Sequence, residues 1–373
     1  MRHQVTSSAW ASIRSSAGPL LLLSLLTACE PARDGPVVLA VAAGDHFLAG
    51  ARLALEDGLA AGPIPGLDTI LLPEPTNRSD VALLHAEDLV SIPGLSAVVG
   101  HGSSTPSLAA SQIYDDYEIV QIAPTTTTPV YSQAGPFSFR MVPSDVWQGR
   151  FLADAVAEAF PDGARLAVFY VNDDYGRGLR AEFRARLDTD RYPLVVDIPH
   201  LQENVGPVDV SNGIAVAVEA TPDVVVWLAR GPVLQRFLPG LRRELGGIPI
   251  YGGDAVGLAT PAADEFELWK GIVFSDFVDP KSTAALREFG ERVRERMGRP
   301  VTTSAILTYD ATALLLAALR DGKRTGPEIR DWLDGLGGER PPFQGITGAL
   351  SFDDNGDVER SYVLRTFEEA GTR

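Results

Sequence analysis

The stretch VVGHGSSTPSLAASQIYDDYEIVQIAPTTTTP, residues 98–129, decides the fold. It holds two apolar runs, and each ends in a cluster of small hydroxyl residues: Ser103–Thr105 after the first and Thr125–Thr128 after the second. Between them, residues 106–116 carry a helical pattern. Strand, hydroxyl loop, helix, strand, hydroxyl loop is the rhythm of a parallel α/β sheet. In such sheets ligands bind beyond the carboxyl ends of the strands. The two clusters are therefore either turn and cap residues or the two sides of a cradle for an anion.

The same rhythm extends in both directions. Residues 37–42 form an unbroken apolar run, as expected of a strand covered on both faces. Residues 48–61 place Leu48, Ala51, Leu55 and Leu59 at helical spacing, and Gly62-Pro63 ends that helix. Further strands are predicted at 69–72, 97–99 and 119–122, with a helix from Ser79 to Val90. The pattern restarts at residues 147–159 and runs through strands at 166–171, 194–198, 223–228 and 249–251, with helices between them. Two long helical patterns follow, 281–297 charged and 305–319 mostly apolar. Residues 345–352 and 361–367, around the turn Asp353-Asp354-Asn355-Gly356, read as a hairpin.

The chain has 373 residues, more than one core usually serves, so two domains are expected. Its formal charge is −17, which disfavours nucleic acid as a partner. The single cysteine, Cys29, excludes an internal disulfide or a cysteine metal site. Ahead of it stand Arg2, Arg14 and a leucine-rich run at 20–26 too short to span a bilayer, the regions of a secretory signal. Removing Arg2 and Arg14 with that segment leaves 30 basic against 49 acidic residues, a formal charge of −19. Leu26-Thr27-Ala28-Cys29 resembles a bacterial lipoprotein signal. That resemblance implies a signal peptide at 1–28, lipidation at Cys29, a tether over 29–36, and an exported protein anchored by lipid.

GHGSSTPSLAASQIYDDYEIVQIAPTTTTP, FRMVPSDVWQG (139–149) and VFYVNDDYGRGL (168–179) together resemble the branched-chain amino-acid-binding proteins of ABC transporters, which are type I periplasmic binding proteins. The order and spacing of segments match from about residue 37 to 367. The resemblance implies an α/β fold of two Rossmann-like lobes with parallel central sheets, joined by three hinge crossings near Pro143, Phe277 and Gly348. Lobe I would comprise 37–142 plus 279–347, and lobe II 144–276 plus 348–373. It further implies capture of an amino acid or similar carboxylate between the lobes, delivery to an ABC permease, and neither cofactor nor catalysis. The alternative on the same fold is a sensor or interaction lipoprotein that takes no part in transport.

Candidate site residues follow from both arguments. Ser103, Ser104, Thr125 and Thr127 stand at strand ends, where hydroxyls and helix-terminal N–H groups hold a carboxylate without a cation. By resemblance, Ser104 and Thr127 occupy carboxylate-binding positions and Thr125 offers its amide. Asp254, in IYGGDAVG, follows a strand and matches the family's acidic partner for a ligand ammonium. Tyr175 matches a tyrosine that closes over the ligand. Arg230 stands where branched-chain binders carry an aromatic. It either reads an acidic group on the ligand, pairs with an acidic neighbour across the lobes, or faces solvent. Ser304 also replaces an aromatic, and the loop after the first strand is short, with Phe47 the one candidate for a lid. His101 is expected to be a hydrogen-bonded structural residue. No Gly-x-Ser-x-Gly elbow is present, which speaks against a hydrolase.

Overall fold

A computed structural model describes residues 36–75, 77–200 and 205–367. Cys29, the signal segment and nearly all of the tether lie outside the described residues. The first lobe is built from β1 (Val37–Ala43), α1 (Asp45–Ala60), β2 (Leu67–Pro73), α2 (Ser79–Val90), β3 (Leu95–Gly100), α3 (Ser104–Asp116), β4 (Val120–Ala123) and β5 (Ser138–Arg140). Its sheet has the order β2-β1-β3-β4-β5, parallel throughout. The apolar run of β1 explains itself there. Val37, Leu39 and Val41 enter one core, while Val38, Ala40 and Ala42 enter another on the opposite face.

The second lobe continues with α4 (Asp145–Ala159), β6 (Leu166–Val171), α5 (Asp174–Arg186), β7 (Leu194–His200), α6 (Pro207–Ala220), β8 (Val224–Leu228), α7 (Gly231–Leu245), β9 (Ile250–Gly252), α8 (Phe266–Trp269) and β10 (Ile272–Asp276). The chain then returns through α9 (Ala284–Met297), α10 (Thr303–Arg320), α11 (Gly326–Asp334), β11 (Phe343–Gly345) and β12 (Gly348–Leu350), and ends in β13 (Val363–Thr366). The second sheet has the order β13-β10-β9-β8-β6-β7, with only β13 antiparallel. Its core is aromatic: Trp227 stacks on Phe169 and meets Phe237 edge-on.

The apolar pattern of α10 has its reason in packing, since the helix lies against α1 and buries most of its side chains. Gly50 of α1 allows the close approach, because a Cβ there would overlap the Ala305 carbonyl.

Two expectations at the C-terminal end are corrected. The hairpin of 345–352 with 361–367 does not form. β12 pairs with β11, and the turn between them is fixed by the Asp310 carboxylate, which accepts from the amides of Ile346 (2.8 Å) and Thr347 (3.0 Å). β13 pairs instead with β10 of the second sheet. The third crossing accordingly lies later than Gly348. Leu350, Val358 and Tyr362 belong to the first lobe's core, and only from Val363 does the chain join the other sheet. The Tyr362 hydroxyl donates to the carbonyls of Pro143 (3.1 Å) and Ser144 (3.2 Å), so the first and third crossings brace each other.

Replacing Gly50 with Leu is expected to destabilise the protein by about 3 kcal/mol, by overpacking the α1–α10 contact. Gly247, with no neighbour within 4 Å of a built Cβ, tolerates Ala within about 0.5 kcal/mol. Urea unfolding of both variants checks this; equal losses would contradict the packing argument.

Candidate functional site

The carboxyl ends of strands from both sheets face one another across a cavity of about 540 Å³, counting its open mouth. Ser103 and Ser104 follow β3 and Thr125 follows β4. From the other lobe come Tyr175 after β6, Arg230 after β8 and Asp254 after β9. Phe47, Ser304 and Asp276 also line it. Six of the seven candidate residues thus meet around one space, and Thr127 is not among the lining residues.

The two hydroxyl clusters are tied to each other. The Ser104 Oγ accepts from the backbone N–H groups of Thr127 and Thr128, both at 3.3 Å. Those two bonds use its lone pairs and leave its proton to donate. Ser104 is the first residue of α3, two positions earlier than the pattern at Pro106 suggests. Its own amide and that of Thr105 therefore have no acceptor within the helix. Ser103 precedes the helix without capping it, and its hydroxyl donates to Asn77 Oδ1 at 3.3 Å. Thr127 is fully buried, and its hydroxyl turns away from the cavity to lie beside Asp145.

Asp254 opens a short 3-10 turn, Asp254–Leu258. It is enclosed by protein, but one face stays open to the cavity. Its Oδ1 accepts from Gln148 Nε2 at 2.8 Å and from the Tyr175 hydroxyl at 3.0 Å. Burial raises its pKa to about 6, against the opposing pull of the Gln148 bond, and the nearby Asp276 charge adds to the rise. Burial and the Asp254 charge push the Tyr175 phenol well above its ordinary value, so it remains a donor. Asp276 is also raised by burial, but it has an ion-pair partner in Arg365 and accepts from Thr303 at 2.9 Å. Asp254 has only neutral donors. The cavity therefore carries a carboxylate that its surroundings leave short of positive charge.

Arg230 departs from the expected pairing with an acid across the lobes: its carboxylate partner belongs to its own lobe, and what it reaches across to is a neutral amide. Its guanidinium meets Asp173 Oδ2 of its own lobe at 3.1 Å and Asn77 Oδ1 of the other lobe at 3.1 Å. Its charge is balanced within the wall of the cavity. A second bridge joins the lobes where the Thr105 hydroxyl donates to Asp174 Oδ2 at 2.8 Å. His101 is buried, with Nδ1 on Glu74 at 2.8 Å and Nε2 on the Tyr114 hydroxyl at 3.2 Å, away from the cavity. Phe47 is buried at the cavity wall and does not form an exposed lid. Sequence reasoning assigned no role to Asn77, Gln148 or Asp173. Gln148 lay inside the quoted stretch FRMVPSDVWQG; Asn77 lay in no distinctive pattern.

Among the described residues, no group of three or more His, Cys, Asp or Glu is placed to hold a metal ion. No described helix is long and apolar enough to cross a membrane.

A sequence model of the family described as periplasmic binding protein matches residues 33–372. The chain belongs to the periplasmic binding protein family. Its fold and its relatives are those of type I solute-binding proteins of the branched-chain amino-acid group, which are not enzymes. The Leu/Ile/Val-binding protein homolog 1 of Brucella suis is 26% identical over 341 residues, covering 87% of this chain and 86% of that one. The amino acid binding protein of Pseudomonas aeruginosa is 27% identical over 342 residues, covering 88% and 87%. Among solved structures, the substrate-binding protein LivJ of Streptococcus pneumoniae, in complex with isoleucine, matches with a TM-score of 0.76 at 21% identity, covering 90% of this chain and 97% of its own. A solute-binding protein of Rhodopseudomonas palustris, in complex with 3,4-dihydroxybenzoic acid, matches with a TM-score of 0.79 at 17% identity, covering 91% and 94%. These two similarities concern the fold, and one fold carries quite different ligands.

The raised pKa of Asp254 makes its ionised form a liability in the empty periplasmic binding protein. The folded state favours the protonated acid, so stability is complete below about pH 4 and falls as pH rises through about 6. Asp254→Asn should therefore stabilise the ligand-free protein by about 2 kcal/mol at pH 7.5 and have no effect at pH 4. Chemical unfolding at both pH values measures it. An equal effect at both would show that the charge is not the cause.

Proposed function

We propose that this protein captures a small amino acid with a neutral side chain and delivers it to an ABC permease. The observation that carries the reading is Asp254, an enclosed carboxylate that faces the cavity with only neutral hydrogen-bond donors around it. An ammonium group answers that need. Opposite it, the Ser104 hydroxyl, the free amides of the α3 start and Thr125 suit a carboxylate. A zwitterion satisfies both ends. The balanced Arg230–Asp173 pair argues for a neutral side chain over an acidic one. The polar walls at Ser304 and Thr303 favour a more hydrophilic side chain than leucine. Thr127 supports the site indirectly in this account, through its backbone N–H on Ser104.

Capture is a hinge closure. Ligand contacts from both lobes favour the arrangement in which Thr105 meets Asp174 and Asn77 meets Arg230. Leu26-Thr27-Ala28-Cys29 supports lipidation at Cys29 of an exported protein, facing the periplasm or the cell exterior.

A thermal-unfolding screen of the purified protein against the amino acids is expected to give its largest shift with a small neutral one, and no larger shift with aspartate or glutamate. Asp254→Ala should weaken the best ligand at least ~100-fold, because it leaves an ammonium buried without a partner. Absence of any shift, or binding that survives Asp254→Ala, would refute the amino-acid reading. In a bacterial host that processes lipoproteins, Cys29→Ser is expected to move the protein from the membrane fraction to the soluble one. A wild-type chain already found in the soluble fraction would rule the anchor out.

A further inference from the structure

A second polar centre lies behind the cavity, where the first crossing meets both lobes. Asp145 opens α4 and is fully buried, and neither of its carboxylate oxygens has a hydrogen-bond partner. Gln148 follows on the same face of the helix. Its Nε2 is committed to Asp254 and to Ser275 Oγ (2.9 Å), while its Oε1 is buried and unpartnered. The Thr127 hydroxyl is the fourth buried oxygen without a bond of normal geometry. It is held next to Asp145, whose backbone N–H donates to the Thr127 carbonyl at 2.7 Å. Across from them stands Gly178 of α5. A Cβ built there would lie 3.5 Å from Asp145 Oδ2, 3.8 Å from Thr128 Oγ1 and 3.1 Å from the Pro129 ring. The bare glycine leaves room for no more than a methyl group, bordered by two oxygens and the Pro129 ring.

The electrostatics of this room are one-sided. Asp254 and Asp173 both add negative potential at Asp145. Arg140 is the positive group near it, but that guanidinium is taken by Asp357, Ser132 and the carbonyls of Thr126 and Thr128. Burial, then the Asp254 charge, raises the Asp145 pKa well above its ordinary value. Buried acceptors in native interiors have partners, and a lone buried carboxylate is strongly disfavoured. The Thr127 hydroxyl brings one donor toward Asp145 and a proton on the acid would add a second, two donors for four oxygens and no charge. A water supplies two donors and no charge. A hard cation supplies both charge and coordination to carboxylate, amide and hydroxyl oxygens together. With a single carboxylate in the set, one positive charge is the match.

We propose that Asp145, Gln148 and Thr127, with Thr128 beside Gly178, form a binding site for a monovalent cation of the sodium or potassium class. The site draws on Thr127 and Thr128 of one lobe and on α4 and α5 of the other. The bound cation therefore favours the arrangement in which the lobes meet, and by linkage it strengthens ligand capture. The inference does not depend on which ligand the cavity takes, since it is tested without one.

The test is the thermal midpoint of the ligand-free protein at pH 7.5 in NaCl, KCl and choline chloride of equal ionic strength, together with the ²³Na NMR linewidth. The expected result is a midpoint at least ~2 °C higher in NaCl or KCl than in choline chloride. Asp145→Asn, which keeps the shape and removes the charge, and Gly178→Ala, which fills the room, should each abolish the difference. Equal midpoints in all three salts, or a cation shift that persists in Asp145→Asn, would overturn the site. A midpoint that follows pH but not cation identity would assign a proton to Asp145 and overturn it as well. Should Gly178→Ala fail to fold, Asp145→Asn and the linewidth decide alone.

Discussion

Asp254 is held in a cavity between two lobes, hydrogen-bonded by Gln148 and Tyr175 and neutralised by neither. Much of the molecule is arranged around that constraint. α4 brings Gln148 from the first crossing. α5 brings Tyr175 from the turn after β6. β9 ends so that the acid projects from the first residue of a 3-10 turn. Burial that raises the pKa also makes the empty site unfavourable to an ionised acid. In the proposed function, the unfavourable term disappears when a cation from solution, the ligand's ammonium, fills the space. Stability withheld in the empty protein would thus become affinity and specificity in the proposed complex.

The side proposed for the ligand's carboxylate is built on the opposite device. Among the described residues of the first lobe, no arginine or lysine lines it. Ser104 accepts two backbone N–H groups and is left with only a proton to offer. Its direction is therefore set before any ligand arrives. The one arginine in the wall, Arg230, is matched by Asp173 and spans to Asn77. It contributes to holding the lobes together, and its balanced charge leaves the carboxylate of a ligand to neutral donors. A protein with a formal charge of −17 gains from this, because the ligand's anionic end needs no uncompensated cation nearby.

The parts of this molecule that the sequence announces are those with short-range causes. β1 is visible because burial on both faces demands an unbroken apolar run, and α10 because a helix packed on most sides loses its polar face. Ser103, Ser104, Thr125 and Asp254 are visible because strand ends face the cleft in any fold of this kind. What the sequence hides has long-range causes. The partners of Arg230 are both far away in the chain, Asp173 in its own lobe and Asn77 in the other. The C-terminal pairing depends on Asp310 fixing a turn in 343–350, which draws β12 away from the expected hairpin. Thr127 resembles a ligand contact by position, yet its hydroxyl faces Asp145, because its amide and carbonyl are both engaged at the crossing.

The most direct test of the account is proton exchange on binding. Calorimetry of the best amino-acid ligand at pH 6, in buffers of differing ionisation enthalpy, counts the protons. With Asp254 near its pKa of about 6 in the empty protein and ionised against an ammonium in the complex, about half a proton should be released per ligand bound. Binding with no proton release, or with uptake, would contradict the claim that Asp254 receives the ammonium.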